Sequence, residues 1–383
     1  MPSYQQLGYQ SDNLLFEPDL SAFAGVVLSP VNYDEPGLLA VSAGAQYRRG
    51  YDIVFDPQLY VPRSRREQLR KWSYFPSDVD TADLGSEIWW SSVVDGVVAA
   101  SSRVKANALC SPIALPKAFT DDYFQISVTI GDLTAKALES TDIRAIQSAV
   151  VGLADLTTPD RAFAIASILS RGRCAELYLV LVNDTEPRRE LLDAEELKGA
   201  MQLISSLEKA DVRVMVAFSS SDVLLWKAAG ATSCATGKFF NLRRFTRSRF
   251  DDPPGEGGGA LPYWFEEELL AFLRESDLVR VRKAGKVSEA SLKNPYGLQI
   301  LEALDSGSGV AWIGLGWRQF LYWFADIERR IATREVDVAA LLVAAETNWD
   351  LLERAKPQVL MEERFNTGAW LRAWRRALVE YSS

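Results

Sequence analysis

Two short, wholly apolar runs, residues 177–182 (LYLVLV) and 212–218 (VRVMVAF apart from Arg213), flank the amphipathic stretch 191–210, and this trio narrows the fold more than anything else in the chain. Strands that lack polar alternation are covered on both faces, which is the condition of a parallel sheet wrapped by helices. The same alternation extends outward in both directions. Apolar or β-rich segments at 26–28, 51–55, 108–110, 143–153 and 231–236 read as further strands, most of them ending in Ser, Asn, Asp or Pro. Helical stretches fill the gaps at 88–105, 121–139 and 222–229, and Thr158-Pro159 reads as the capped start of another.

Strand, helix, strand, helix at this spacing specifies a parallel α/β fold. Seven strands are read directly, and an eighth has room in an ambiguous stretch. The expected architecture is a (β/α)8 TIM-barrel-like domain, or an irregular relative of it, over residues 1–250. An open doubly wound sheet is the alternative. Residues 251–260 (DDPPGEGGGA) read as a Gly/Pro linker. Beyond it, helical stripes such as Trp317, Phe320, Leu321, Phe324 and Ile327, or Trp370, Leu371, Trp374 and Leu378, imply a smaller all-helical C-terminal domain over 261–383. Its aromatic faces are expected to form core, or else a surface for a protein partner.

The chain has no histidine, so Ser-His-Asp and Cys-His catalysis and histidine-based metal sites are excluded. Cys110, Cys174 and Cys234 are too few and too far apart for a four-cysteine zinc site or a disulfide framework. No zinc site of either kind is expected, and the cofactor is left unknown. The thiols suit a reducing cytoplasm. The N-terminus carries no secretory pattern, and residues 309–324 are too short and too polar for a membrane span.

In parallel α/β folds, functional groups gather where the strands end. That rule selects Asp56, which follows an apolar run and precedes Pro57, as a carboxylate at the mouth; Asp184 is its counterpart after the 177–182 strand. Two such carboxylates can serve acid/base or nucleophilic work without histidine. Gln58 and Asn183 stand beside them as substrate-binding candidates. Two basic, aromatic segments also leave strand ends: Arg63, Arg65, Arg66, Arg70 and Lys71 before Trp72 and Tyr74, and Lys238, Asn241, Arg243, Arg244, Arg247 and Arg249 among four phenylalanines. On a chain of net charge −9, these segments point to an anionic ligand: a phosphate ester, nucleotide or nucleic acid. Solvated faces and internal salt bridges are the plainer explanation of such charge runs.

In architecture alone, a histidine-free barrel with a strand-end aspartate and a basic mouth resembles the transglycosylases that exchange nucleic-acid bases. The Cys/His zinc cluster expected of many of them is missing, and no site residue is carried over. The expected function is an enzyme acting on a phosphate-bearing substrate by glycosyl transfer or hydrolysis, with no membrane association. A non-catalytic subunit of a nucleic-acid-associated assembly is the alternative.

Overall fold

A computed structural model describes residues 3–46, 51–251, 261–307, 312–355, 359–362 and 366–382. Eight strands, β1 (Ser3–Gln6), β2 (Phe23–Leu28), β3 (Asp52–Phe55), β4 (Ala108–Cys110), β5 (Arg144–Gly152), β6 (Glu176–Val182), β7 (Arg213–Ala217) and β8 (Ser233–Thr236), pair in parallel in chain order. The barrel closes where β8 returns to β1, with Tyr4 opposite Ala235 and Gln5 opposite Thr236. The helices around it are α1 (Glu35–Gln46), α2 (Glu67–Arg70), α3 (Glu87–Arg103), α4 (Asp121–Leu138), α5 (Arg161–Leu169), α6 (Ala194–Lys209) and α7 (Val223–Ala228). The expected TIM-barrel fold is therefore present, and the open sheet is not.

The closing strand is the one that apolar patterning misses. β1 reads Ser-Tyr-Gln-Gln, yet all four residues are buried. Three of its four polar side chains find specific partners, as burial favours, while the Gln5 amide nitrogen makes no hydrogen bond. Gln6 donates from Nε2 to the Tyr178 hydroxyl at 2.9 Å and accepts from the Phe218 N–H at 2.8 Å. The Tyr4 hydroxyl donates to Asp52 at 2.9 Å, and Ser3 donates to Glu328 at 2.5 Å. A second departure is local: Asp160 adopts a left-handed backbone (φ 60°), so α5 starts at Arg161 rather than at Thr158-Pro159.

After the expected linker, of which residues 252–260 lie outside the described residues, the chain does not turn directly to helix. It forms an antiparallel hairpin, β9 (Tyr263–Glu266) and β10 (Ala271–Arg274). Then follow α8 (Glu275–Lys283), α9 (Glu289–Lys293), α10 (Gly297–Asp305), α11 (Ile313–Ala332), α12 (Val338–Glu353) and α13 (Ala369–Ser382). The C-terminal region is thus helical apart from this hairpin, whose aromatic strands mimic one face of a helix in sequence.

The β1–β2 connection holds only two single-turn 3-10 segments, Asp12–Phe16 and Pro18–Leu20, and leaves the barrel wall bare beside α7. The longest helix, α11, fills that gap, packing on α7, on β1 and on the hairpin. Its buried Glu328 accepts from Ser3 on β1 and from the Cys234 N–H on β8 (3.1 Å), and it pairs with Lys227 of α7 at 3.3 Å. One carboxylate on a C-terminal helix therefore ties together both strands of the barrel's closing seam. α13 adds a further layer against α6.

Removing one partner of a buried ion pair leaves the other charge stranded. We expect Glu328→Ala to cost about 3–5 kcal/mol of stability, read as a lowered urea midpoint. The double variant Lys227→Met/Glu328→Leu should recover most of that loss, because it strands no charge.

Candidate functional site

The segment that leaves β8 folds back over the barrel mouth. Gly237 permits the turn: a Cβ there would lie 2.6 Å from Leu242 and 2.8 Å from the Gln6 carbonyl oxygen. Phe245 and Phe250 stack at 5.2 Å and meet Tyr60 edge-on at 5.2 and 4.9 Å, with Phe218 5.3 Å from Phe245. These four rings close the barrel axis from above.

The same fold-back turns most of the segment's cations inward. Arg243 is 3% exposed; it donates to the carbonyls of Gly237 (2.9 Å) and Lys238 (3.0 Å) and sits 3.8 Å from the ring centre of Phe320 on α11. Phe240 and Phe272 flank it at 5.1 and 4.9 Å. Burial disfavours its charge, and the ring faces and carbonyls offset that cost. Arg244 is equally buried, 3.6 Å from Asp222 and 3.9 Å from Glu190. Lys238 donates to the Gln10 carbonyl at 2.7 Å and lies over Phe239 and Trp317 at 4.7 and 4.6 Å. The expectation of phosphate ligands displayed at an open mouth is not met at Arg243 and Arg244. Their charge is spent inside the protein.

Asp56 lies below the ring cluster, at the end of β3, and is 3% exposed. Its carboxylate accepts from the Gln58 N–H (3.0 Å) and the Tyr60 hydroxyl (2.9 Å), and Tyr178 also hydrogen-bonds to it. Burial raises its pKa from 3.8 to about 6, against the lowering effect of these donors and of Arg249. Arg249 is buried too and donates to Ser29 at 3.0 Å. The result is a polar chain, Gln6–Tyr178–Asp56–Tyr60, running up the barrel interior.

The other sequence candidates fall in different places. Gln58, at φ 55°, accepts from Ser29 (3.1 Å) and from the Val31 N–H (3.0 Å), so its carbonyl braces the β2 and β3 loops. Asn183 accepts from the Thr185 N–H at 2.7 Å in a local turn, and Asp184 is exposed. Asn241 is half-buried, 3.5 Å from Arg249. Arg66 donates to the Ser248 carbonyl at 3.3 Å. Trp72 and Tyr74, which follow the first basic run, pack on Phe55 at 5.5 and 6.1 Å in the core and are not presented to a ligand. Asp56 and Asp184 therefore do not form one buried dyad.

The open space lies beside the sealed axis. A cleft of about 790 Å³ runs between the β3 and β4 loops and the first turn of α4, with Tyr60 in its wall. Val61, Leu84, Trp90, Ile113, Leu115 and Ile126 form its apolar walls. Arg63, Lys117 and Arg247 also line it, against one carboxylate, Asp122. Arg63 and Arg247 make exposed ion pairs with Asp80 (3.9 Å) and Asp251 (3.2 Å), which exchange readily for another anion, while the Arg63 Nε also donates to the Val79 carbonyl at 2.9 Å. Sequence reasoning named Arg63 and Arg247 but not Lys117, which the strand-end rule would have found in the β4 loop. Among the described residues no cluster of acidic or cysteine side chains could hold a metal ion, and no helix is long and apolar enough to cross a membrane.

No family model matches the chain, and no curated protein matches its sequence. Among solved structures, it is similar to a protein of Burkholderia cenocepacia J2315 with a proposed lyase/mutase role. The two share 12% identity at a TM-score of 0.34, over 62% of this chain and 78% of the other.

Several buried carboxyls share the direction seen at Asp56. Burial also raises Glu190 and Glu328 from 4.5 to about 7. The folded state then holds more protons than the unfolded state between pH 4 and 7. The stability these groups contribute is full below their ordinary values and is lost as pH rises through about 6–7. We expect the urea midpoint to fall between pH 4 and pH 7 and to level off above it, and Asp56→Asn to flatten the part of that fall below about pH 6.

Proposed function

We propose that this chain is a TIM-barrel enzyme that takes a nucleic acid, nucleotide or other phosphate-bearing substrate in the cleft beside the sealed axis. Arg63, Lys117 and Arg247 hold the anion there. Asp56 accepts from and polarises the Tyr60 hydroxyl, so the barrel's buried polar chain ends at the residue that forms part of the cleft wall. Transfer or hydrolysis at an ester or glycosidic bond needs such a proton acceptor and an anion clamp, and it needs no histidine. The observation that carries the reading is the meeting of Arg63, Lys117 and Arg247 on one 790 Å³ cleft whose wall includes Tyr60, the buried hydrogen-bond partner of Asp56. That volume lies within the range of roughly 300–1,000 Å³ usual for small-molecule sites.

One observation favours a second reading. Phe245 and Phe250 close the axis where barrel enzymes usually work, which suits a non-catalytic scaffold whose C-terminal helices meet a protein partner.

Calorimetric titration with nucleoside monophosphates, a short oligonucleotide and p-nitrophenyl phosphate separates the two, with product followed by phosphorus NMR. We expect binding that weakens with salt, weakens about tenfold or more in Arg63→Ala/Arg247→Ala, and is coupled to product formation. Asp56→Asn should abolish product while leaving Kd within about twofold. Product formation unchanged in Asp56→Asn would remove Asp56 from the chemistry. Binding by none of these ligands would leave the scaffold.

A further inference from the structure

Resting on the phosphate-site reading of the same cleft, we infer that its ligand is an alkyl phosphate: a phosphate monoester whose body is a single hydrocarbon chain rather than a nucleoside. The argument comes from what the cleft walls can and cannot recognise. Val61, Leu84, Trp90, Ile113, Leu115 and Ile126 come from five separate loops and helices and together form the apolar lining. They offer a hydrocarbon chain the transfer from water that drives its burial, and offer a nucleobase edge nothing to bond.

Reading a base requires paired donors and acceptors, from Arg or Lys for guanine and from Asn or Gln for adenine, and here the cations are needed for the phosphate. Among the described residues that line the cleft there is no Asn or Gln. Thr120 is committed as the cap of α4, where it accepts from the Tyr123 N–H at 3.3 Å. The Trp90 indole N–H is committed to the Leu84 carbonyl at 3.0 Å. The aromatic residues that would stack on a base after the 63–71 run are buried in the core instead. Among the charged residues that line the cleft, Arg63, Lys117 and Arg247 outnumber Asp122, so the polar end of the ligand is the anion. An apolar cleft with a net positive charge suits an amphipathic anion.

The test is calorimetric titration of the full chain with octyl, decyl and dodecyl phosphate below their micelle concentrations, beside AMP, inorganic phosphate and dodecyltrimethylammonium. Affinity should rise about three- to fourfold per buried methylene, and dodecyl phosphate should bind at least tenfold tighter than AMP or inorganic phosphate. Arg63→Ala/Arg247→Ala should weaken dodecyl phosphate about tenfold and leave dodecyltrimethylammonium unchanged. AMP binding as tightly as dodecyl phosphate, or affinity independent of chain length, overturns the inference and leaves the phosphate site standing. Dodecyltrimethylammonium binding as well as dodecyl phosphate overturns the phosphate site itself. Binding by none of the anions overturns both. Sedimentation of the protein with phosphatidic acid vesicles, without binding of dodecyl phosphate, also overturns the inference, because the ligand is then a membrane surface.

Discussion

The ion pair between Glu328 and Lys227 is the interaction on which the architecture turns. The β1–β2 connection supplies no helix, so the barrel's closing seam would stand open without α11. Glu328 fixes that helix by taking hydrogen bonds from β1 and β8 and the ammonium of α7 at once. A buried carboxylate is costly unless every lone pair is used, and here three elements use them. Burial nonetheless keeps its proton affinity high, up to about 7, so the same contact that closes the seam makes it sensitive to pH.

Much of the functional geometry follows from that closure. With α11 in place, Phe320 and the hairpin's Phe272 stand beside the β8 loop, and Arg243 inserts between them and Phe240. The loop is thereby drawn across the mouth, and Phe245 and Phe250 come to rest on Tyr60. Sealing the axis encloses Asp56 and Tyr60 together, and the accessible space lies to the side, in the cleft lined by Arg63, Lys117 and Arg247. The open cleft lies beside the axis because α11, from the C-terminal region, covers the closing seam and brings its aromatic residues with it.

The strands and helices with strong apolar pattern were legible, as the runs at 177–182 and 212–218 show, because burial on both faces leaves no polar alternation. β1 was not, since Gln6 and Ser3 are buried through specific hydrogen bonds rather than through transfer from water. The hairpin was misread as helix because Trp264, Phe265 and Phe272 satisfy either period over so short a stretch. Asp56 was legible from its place at a strand end. The direction of Arg243 and Arg244 was not, because a charge run looks the same in sequence whether it meets solvent, a ligand or an aromatic cage. Lys117 was overlooked for want of neighbours of like charge.

The central claim is that the working surface is the side cleft and not the barrel axis. Hydrogen–deuterium exchange of the full chain, with and without a saturating phosphate-bearing ligand, tests it most directly. The account expects added protection in residues 60–63 and 113–123, with the β8 loop at 238–245 and the 218–222 turn unchanged. Protection confined to 218–222 and 238–245, with none at 113–123, would place the ligand on the axis and contradict it.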